Sequence, residues 1–136
     1  MIGGYMTYQG FEAKGKYKYS PIEEILPVEL LACDDRAECP EGVELMPALP
    51  DHPILRHIPS VLPFALGYNK TVIKPGAQLV ATAYGDPYIA AWGFGKGRAI
   101  AYTTDCAPHW APPELHGWEH YPTLWKNIVN WLSGED

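Results

Sequence analysis

From residue 64 onward the chain alternates short apolar runs with turn residues. "FALGYNKTVIK", "AQLVATAY", "YIAAWGF" and "GRAIAYTT" are rich in β-branched, aromatic and small apolar residues. They are divided by "PG", "GDP" and "GKG", which is the grammar of successive strands. Gly95-Lys96-Gly97 between the third and fourth predicts a tight hairpin. The period then changes. In "YPTLWKNIVNWLSG", Leu124, Ile128 and Leu132 recur at helical spacing, Pro122 suits the start and Gly134 the end. Trp125 and Trp131 are read as packing residues of that helix.

The first half of the chain is more broken. "MIGGY" reads as a strand running into a sharp turn at Gly3-Gly4. "SPIEEIL" predicts a short helix with Ser20 as N-cap, Pro21 in the first position and Glu23 completing a capping box before Pro27 stops it. "VELLAC" and "GVELMP" are read as two short strands around a "DDRAECPE" turn. "DHPILRHIP" is read as an Asp-capped helical turn stopped by Pro59. Strands followed by a loop and a closing helix predict an α/β domain whose ligands sit beyond the strand ends. The stretch that occupies such a position is "YTTDCAPHWAPPELHGWEHYP", residues 102–122.

Composition narrows the function classes. At 136 residues the chain holds one domain at most, and 47% hydrophobic, 12% aromatic and 19% charged residues exclude a disordered chain. The 14 prolines and 13 glycines call for many turns. A formal charge of −6 argues against binding to a nucleic-acid backbone. The only basic cluster, Lys14, Lys16 and Lys18, is read as a solvated loop. No apolar run approaches the ~20 residues of a membrane span, so a soluble, intracellular protein with no membrane partner is expected. The odd set Cys33, Cys39 and Cys106 has no C-x-x-C pair, which argues against a disulfide framework.

Several residues could carry chemistry, each with a plainer alternative. Cys106 and His109 could pair as nucleophile and base, since a neighbouring imidazolium stabilises thiolate; packing of Cys106 at a strand end is the alternative. Cys106, His109, His116 and His120 offer metal-ligand types, although Gly117 and Pro122 spoil the helix that would align the last two. Asp34-Asp35-Arg36 could form an acid/base pair with an orienting arginine, or cap backbone N–H groups in a turn. Asp86 is read as a turn residue. Asp105 closes a β run directly before the Cys-His loop. "GFGKGR" lacks P-loop spacing and a following helix, and is read as a hairpin turn.

Taken together, "GGYMTYQGFEAKGKY", "PIEEILPVEL", "DDRAECPEGV", "HPIL", "LGYNK", "GDPYIAAWGFGKGRAIAYTTDCAPHWAPPE" and "LWKNIVNWL" resemble successive blocks of the putative glutamine amidotransferase family. The resemblance implies a cytoplasmic protein with a class I glutamine amidotransferase-like, flavodoxin-like α/β fold, ending in a β-hairpin and a terminal helix. It also implies that residues 1–136 are a single partial domain, because family members carry a substantial N-terminal half before the "GGY" block. An incomplete sheet leaves an unpaired edge, so either homo-oligomerisation or pairing with the missing half is expected.

Active class I amidotransferases place a cysteine on a strand–turn–helix elbow. The matching stretch here is Gly4-Tyr5-Met6-Thr7-Tyr8, with the thioether of Met6 at its centre. The H-x-E partner pattern is also missing, since Trp110 and Ala111 follow His109. By resemblance the 102–122 loop lies near the active-site cleft. That makes Asp105, Cys106 and His109 the catalytic candidates, and Tyr5, Met6, Asn69 and Trp110 the ligand-binding ones. The expectation is a domain that binds a small molecule or partner, without glutaminase activity and without a cofactor. The alternatives are a hydrolase or amidotransferase using Cys106 and His109, or a metal site at Cys106, His109, His116 and His120.

Overall fold

The computed structural model describes residues 1–135. In chain order its elements are α1 (Pro21–Ile25), β1 (Val28–Leu30), β2 (Arg36–Val43), β3 (Leu45–Pro47), β4 (Ala65–Asn69), β5 (Thr71–Ile73), β6 (Gln78–Ala83), β7 (Asp86–Phe94), β8 (Gly97–Tyr102), α2 (Pro113–His116) and α3 (Tyr121–Ser133). Single 3-10 turns lie at Phe11–Ala13 and Pro53–Leu55.

The apolar runs form the central sheet, in the order β3-β6-β7-β8 with antiparallel neighbours. Ala83 pairs with Asp86 across a two-residue loop in which Tyr84 and Gly85 both have positive φ, +49° and +82°. That is the hairpin geometry matching strand twist. Phe94 pairs with Gly97 across Gly95-Lys96, as the glycine spacing predicts. Two smaller antiparallel ribbons, β1 with β5 and β2 with β4, flank the sheet.

Strand alternation explains why "YIAAW" is apolar without a break. Ile89, Ala91, Ile100 and Tyr102 face a core shared with Leu124, Ile128 and Trp131 of α3. Ala90 and Ala101 face the other way, onto Tyr8, Leu26, Val28 and Leu30. Both faces are covered, so neither needs polar residues. The short alanine side chains on the second face leave room for the β1–β5 ribbon.

Three sequence readings change. "DDRAECPE" is largely strand rather than turn: β2 runs through it, and its register against β4 shifts between Glu38 and Val43, around Pro40. A bulge is where a sheet tolerates proline. The turn at 53–55 is capped by His52, whose Nδ1 accepts the Ile54 N–H at 3.2 Å, rather than by Asp51. On α3 the third buried position is Trp131, while Leu132 is 41% exposed.

The α1 start is met at Ser20, but the reciprocal bond of the capping box goes to Tyr19 N–H, since Ser20 N–H donates to Tyr17 O. Ser20 Oγ accepts the Glu23 N–H at 3.4 Å, and Glu23 returns its carboxylate to Tyr19 N–H at 3.0 Å and Leu30 N–H at 2.7 Å. Lys18 is not a solvated residue, because its ammonium donates to Leu30 O at 2.6 Å.

The described residues are thus mixed α/β, with small antiparallel sheets and few helices. Their only parallel pairing joins Ile2 to Tyr102 at the outer edge of β8. Gly3 N–H donates to Tyr102 O at 2.7 Å, and Tyr102 N–H to Met1 O at 2.9 Å. Gly3 is required here: a Cβ would lie 2.1 Å from Thr103 O, a backbone atom that cannot yield.

Candidate functional site

The segment 4–10 turns back over the ends of β4 and β8 and is held there by two buried polar side chains. Asn69 Oδ1 accepts Gly4 N–H at 2.8 Å, and its Nδ2 donates to Gly4 O at 3.1 Å and to Asp35 Oδ1 at 2.8 Å. Asp35 also accepts Gln9 N–H at 2.8 Å and Gly10 N–H at 2.9 Å. Burial pushes the Asp35 carboxyl above its ordinary pKa, and the Asn69, Gln9 and Gly10 donors recover part of that shift. Asn69, fully buried, is occupied with the loop and not with the surface.

This arrangement answers the Asp34-Asp35-Arg36 alternatives in favour of capping. Asp34 accepts Glu12 N–H at 2.9 Å and grips the Arg36 guanidinium at 2.9 and 2.8 Å. That bidentate bond holds the Asp34 carboxyl well below the usual carboxylate range. Asp86 does more than turn the chain, since it accepts the Tyr68 hydroxyl at 2.7 Å.

What the loop displays outward is aromatic. Tyr5 stacks on Phe11 with centroids 5.2 Å apart, and the Arg36 guanidinium lies over both rings at 4.6 and 4.8 Å. The imidazole of His109 meets the Tyr5 ring edge-on at 6.1 Å. Asp105 Oδ2 lies 3.3 Å from His109 Nδ1 and accepts Trp110 N–H at 2.9 Å. Its other oxygen lies beside Gly4, where a Cβ would approach to 2.8 Å. Tyr5, Asp105 and His109 are therefore brought to one place beside Gly4, and Asn69 lies directly beneath.

Trp110 is 1% exposed. Its indole rests on Gly67, where a Cβ would come within 2.4 Å of Nε1, and that Nε1–H donates to Glu38 Oε2 at 3.0 Å. An indole edge, His109, Glu38, Pro40 and Leu66 line an open cleft of about 320 Å³. Arg36 and Glu38 are members of this neighbourhood that the sequence reading did not single out as ligand residues. The aromatic-rich "GGYMTYQGF" block was the available signal for Phe11, whereas Glu38 lay in a stretch read as turn.

Other candidates are not joined in this way. Met6 is 47% exposed, and among the non-glycine residues of this segment the positive φ falls on Tyr8 (+55°) and not on Met6. The strained conformation that holds an elbow nucleophile is therefore not found at the position that matches one. Cys106 is exposed; its carbonyl accepts the Tyr121 hydroxyl at 2.8 Å, and no hydrogen bond joins its Sγ to His109. His120 packs edge-on against Trp118 at 5.1 Å. Among the described residues no group of three or more His, Cys, Asp and Glu side chains is placed to hold a metal ion, so the Cys106, His109, His116 and His120 set is not assembled. No helix of the described residues is long and apolar enough to cross a membrane.

Among the solved structures that match, two overlay nearly the whole of this chain. The cytoplasmic protein STM1381 from Salmonella typhimurium LT2 shares 39% identity over 97% of this chain and 54% of its own, with a TM-score of 0.93. The cytoplasmic protein STM3548 from Salmonella typhimurium shares 36% identity over 97% of this chain and 53% of its own, also at 0.93. The chain thus spans about half the length of these relatives. A comparison with curated proteins gives no match. The family model described as "Putative glutamine amidotransferase" matches residues 1–134, which is nearly the whole chain. With that match over nearly its whole length, the chain belongs to the putative glutamine amidotransferase family.

Proposed function

We propose that this domain binds a small polar ligand at the surface formed by Tyr5, Arg36, Glu38, His109 and Trp110, and has no glutaminase activity of its own. The observation that carries the reading is a pairing of opposites. Asp105 orients the His109 imidazole toward Tyr5, while the neighbouring Met6 offers a thioether where a glutaminase needs a thiol. A thioether has no proton to lose and forms no acyl-enzyme with glutamine. An imidazole fixed by a carboxylate, a guanidinium over aromatic rings and a buried indole are suited to hold a planar polar group by hydrogen bonds and stacking.

The parallel pairing of Ile2 with Tyr102 supports a flavodoxin-like sheet of the class I amidotransferase type as the frame for this site. A cytoplasmic location is proposed from the descriptions of the two Salmonella relatives.

The test is ammonia release from L-glutamine by the wild type, by Cys106→Ala and by His109→Ala, together with titration of free amino acids and their amides. The titration is followed at the Trp110 indole N–H in a ¹H–¹⁵N spectrum. No ammonia release, with saturable shifts lost in His109→Ala, is the expected result. Ammonia release abolished by Cys106→Ala would instead establish the hydrolase reading, which rests on the exposed Cys106 thiol in the same loop.

A further inference from the structure

The cleft of about 320 Å³ beside His109 has a consistent polarity: its unused polar atoms accept hydrogen bonds and do not donate them. Asp105 Oδ2 lies 3.3 Å from His109 Nδ1, which assigns the proton of the neutral imidazole to Nδ1. The other ring nitrogen, Nε2, then carries a lone pair, and it has no hydrogen-bond partner among the described residues. Glu38 is a carboxylate and accepts on both oxygens. Trp110 Nε1–H fills one position on Oε2 at 3.0 Å and fixes the orientation of the carboxylate. Oε1 stands 3.7 Å from Arg36 Nη1, beyond hydrogen-bond reach. The indole N–H is a donor in the cleft wall, and Glu38 already occupies it. Pro40 and Leu66 add apolar surface between these groups.

We propose that the ligand of this surface is a small planar cation rich in N–H groups, a guanidinium or an amidinium on a short aliphatic chain. The proposal rests on the ligand-binding reading above and narrows it. Charge argues against an anion. Asp34, Glu38 and Asp105 gather here, and Arg36 faces Asp34 at 2.8 Å and Glu38 at 3.7 Å, so its positive charge is already met. A carboxylate would lie beside Glu38 with neither the indole proton nor the Nδ1 proton free to receive it. A quaternary ammonium has no N–H for Glu38 or His109, and Trp110, 1% exposed, does not offer the open ring face such a cation needs.

Shape decides between the remaining cations. A primary ammonium is compact and strongly hydrated, whereas a guanidinium is flat, weakly hydrated and able to meet a carboxylate with two parallel N–H bonds. The wall suits a flat group. The His109 ring lies against the Trp110 indole at 5.3 Å with 31° between their planes, so a planar cation beside the imidazole extends the stack. The same surface already holds one guanidinium in this way, that of Arg36 over Tyr5 and Phe11 at 4.6 and 4.8 Å. The cleft volume falls near the lower end of the usual range for ligand pockets, roughly 300–1,000 Å³, which suits a molecule of few heavy atoms.

The experiment titrates the 136-residue chain with propylguanidinium, propylurea, butylammonium and butanoate at matched ionic strength. The Trp110 indole N–H is followed, because it bonds Glu38 and so reports on that carboxylate. Propylurea has the shape of propylguanidinium without its charge, and carries an acceptor where the cation carries a donor. Saturable binding of propylguanidinium is expected, at least about tenfold tighter than propylurea or butanoate and at least about threefold tighter than butylammonium. Glu38→Gln keeps an acceptor for the indole and removes the charge, so the preference for cation over urea should shrink at least about fivefold. A Glu38 that only supported the fold would not move that ratio. Glu24→Gln, in α1, removes the same charge outside the cleft and leaves the ratio unchanged. Propylurea or butanoate binding as tightly as propylguanidinium overturns the proposal and leaves the ligand-binding reading in place. So does a ratio unaltered in Glu38→Gln, or butylammonium equal to propylguanidinium. Silence of all four probes at the indole overturns it too, and the ligand-binding reading falls with it only if the amino acids and their amides are also silent.

Discussion

Replacing Asp35 by alanine removes the anchor of the Gly4–Gly10 loop. Its carboxylate accepts Gln9 N–H at 2.8 Å, Gly10 N–H at 2.9 Å and Asn69 Nδ2 at 2.8 Å. Asn69 keeps Gly4 O and Thr7 O as acceptors, so two backbone donors are left orphaned in a buried place. Each orphan costs about 1–3 kcal/mol. Against that stands relief from holding a carboxylate that burial already disfavours. The net loss expected is about 2–4 kcal/mol. At this chain length that corresponds to a fall in Tm of roughly 10 °C. Urea unfolding followed by tryptophan fluorescence and far-UV circular dichroism measures it. A loss below about 1 kcal/mol would show that the loop does not depend on this carboxylate. The pH dependence carries a second check. Because the folded-state pKa is raised, the folded state binds the Asp35 proton more tightly than the unfolded chain does. The stability this group contributes is full below the ordinary value of 3.8 and is lost as pH rises through the raised value. Asp35→Asn does not titrate, so the advantage of wild type over that variant should narrow as pH climbs from about 4 toward neutrality. An advantage that widens would reverse the assigned direction.

Three further outcomes follow from the same geometry. Gly67→Ala drives a Cβ into the Trp110 indole, so the Nε1–H bond to Glu38 should break, with an upfield move of that proton and a stability loss of about 1–3 kcal/mol; an unmoved indole signal refutes it. Met6→Cys should raise the count of rapidly titrating thiols from the two exposed ones, Cys33 and Cys106, to three without producing ammonia from glutamine. Glutaminase activity in that variant would mean that the loop is a competent elbow after all. Arg36→Lys loses the bidentate grip on Asp34 and the stacking over Tyr5 and Phe11, so hydrogen exchange at Glu12 should quicken by several-fold; unchanged exchange there refutes the stacking argument.

The hairpins were legible because local chemistry dictates them. Gly85 and Gly95 occupy positive-φ positions in two-residue loops, and the runs between them are apolar on both faces because both faces are covered. β2 was hidden for the opposite reason. Six of its eight residues are exposed or partly exposed, it carries Pro40, and it exists through pairing with β4, some thirty residues later in the chain. A pattern rule sees only the charge cluster. The same holds for α3, where a stripe of Leu124, Ile128 and Leu132 and one of Leu124, Ile128 and Trp131 fit the helical period equally well. The position of β8 decides between them, with Arg98 lying over the Trp131 ring at 5.0 Å.

The site was legible as a list of residues and not as a set of roles. Asn69, Asp105, His109 and Trp110 stood out by type, but type does not say which atoms face inward. That is decided by close approaches between distant segments: Gly3 against Thr103, Gly4 against Asp105 and Gly67 against Trp110 each leave no room for a Cβ. These contacts bring backbone to backbone, to a carboxylate or to a ring, and they commit Asn69 and Asp35 to holding the loop. Asp105 and His109 remain at the surface, one bracing the other. A polar side chain near a presumed cleft can thus be spent on the scaffold or free for a ligand, and the glycines settle which, because they fix how near the loop lies to the groups beneath it. For that reason Gly3 and Gly67, which carry no functional group, constrain the chemistry of this surface as firmly as the histidine does.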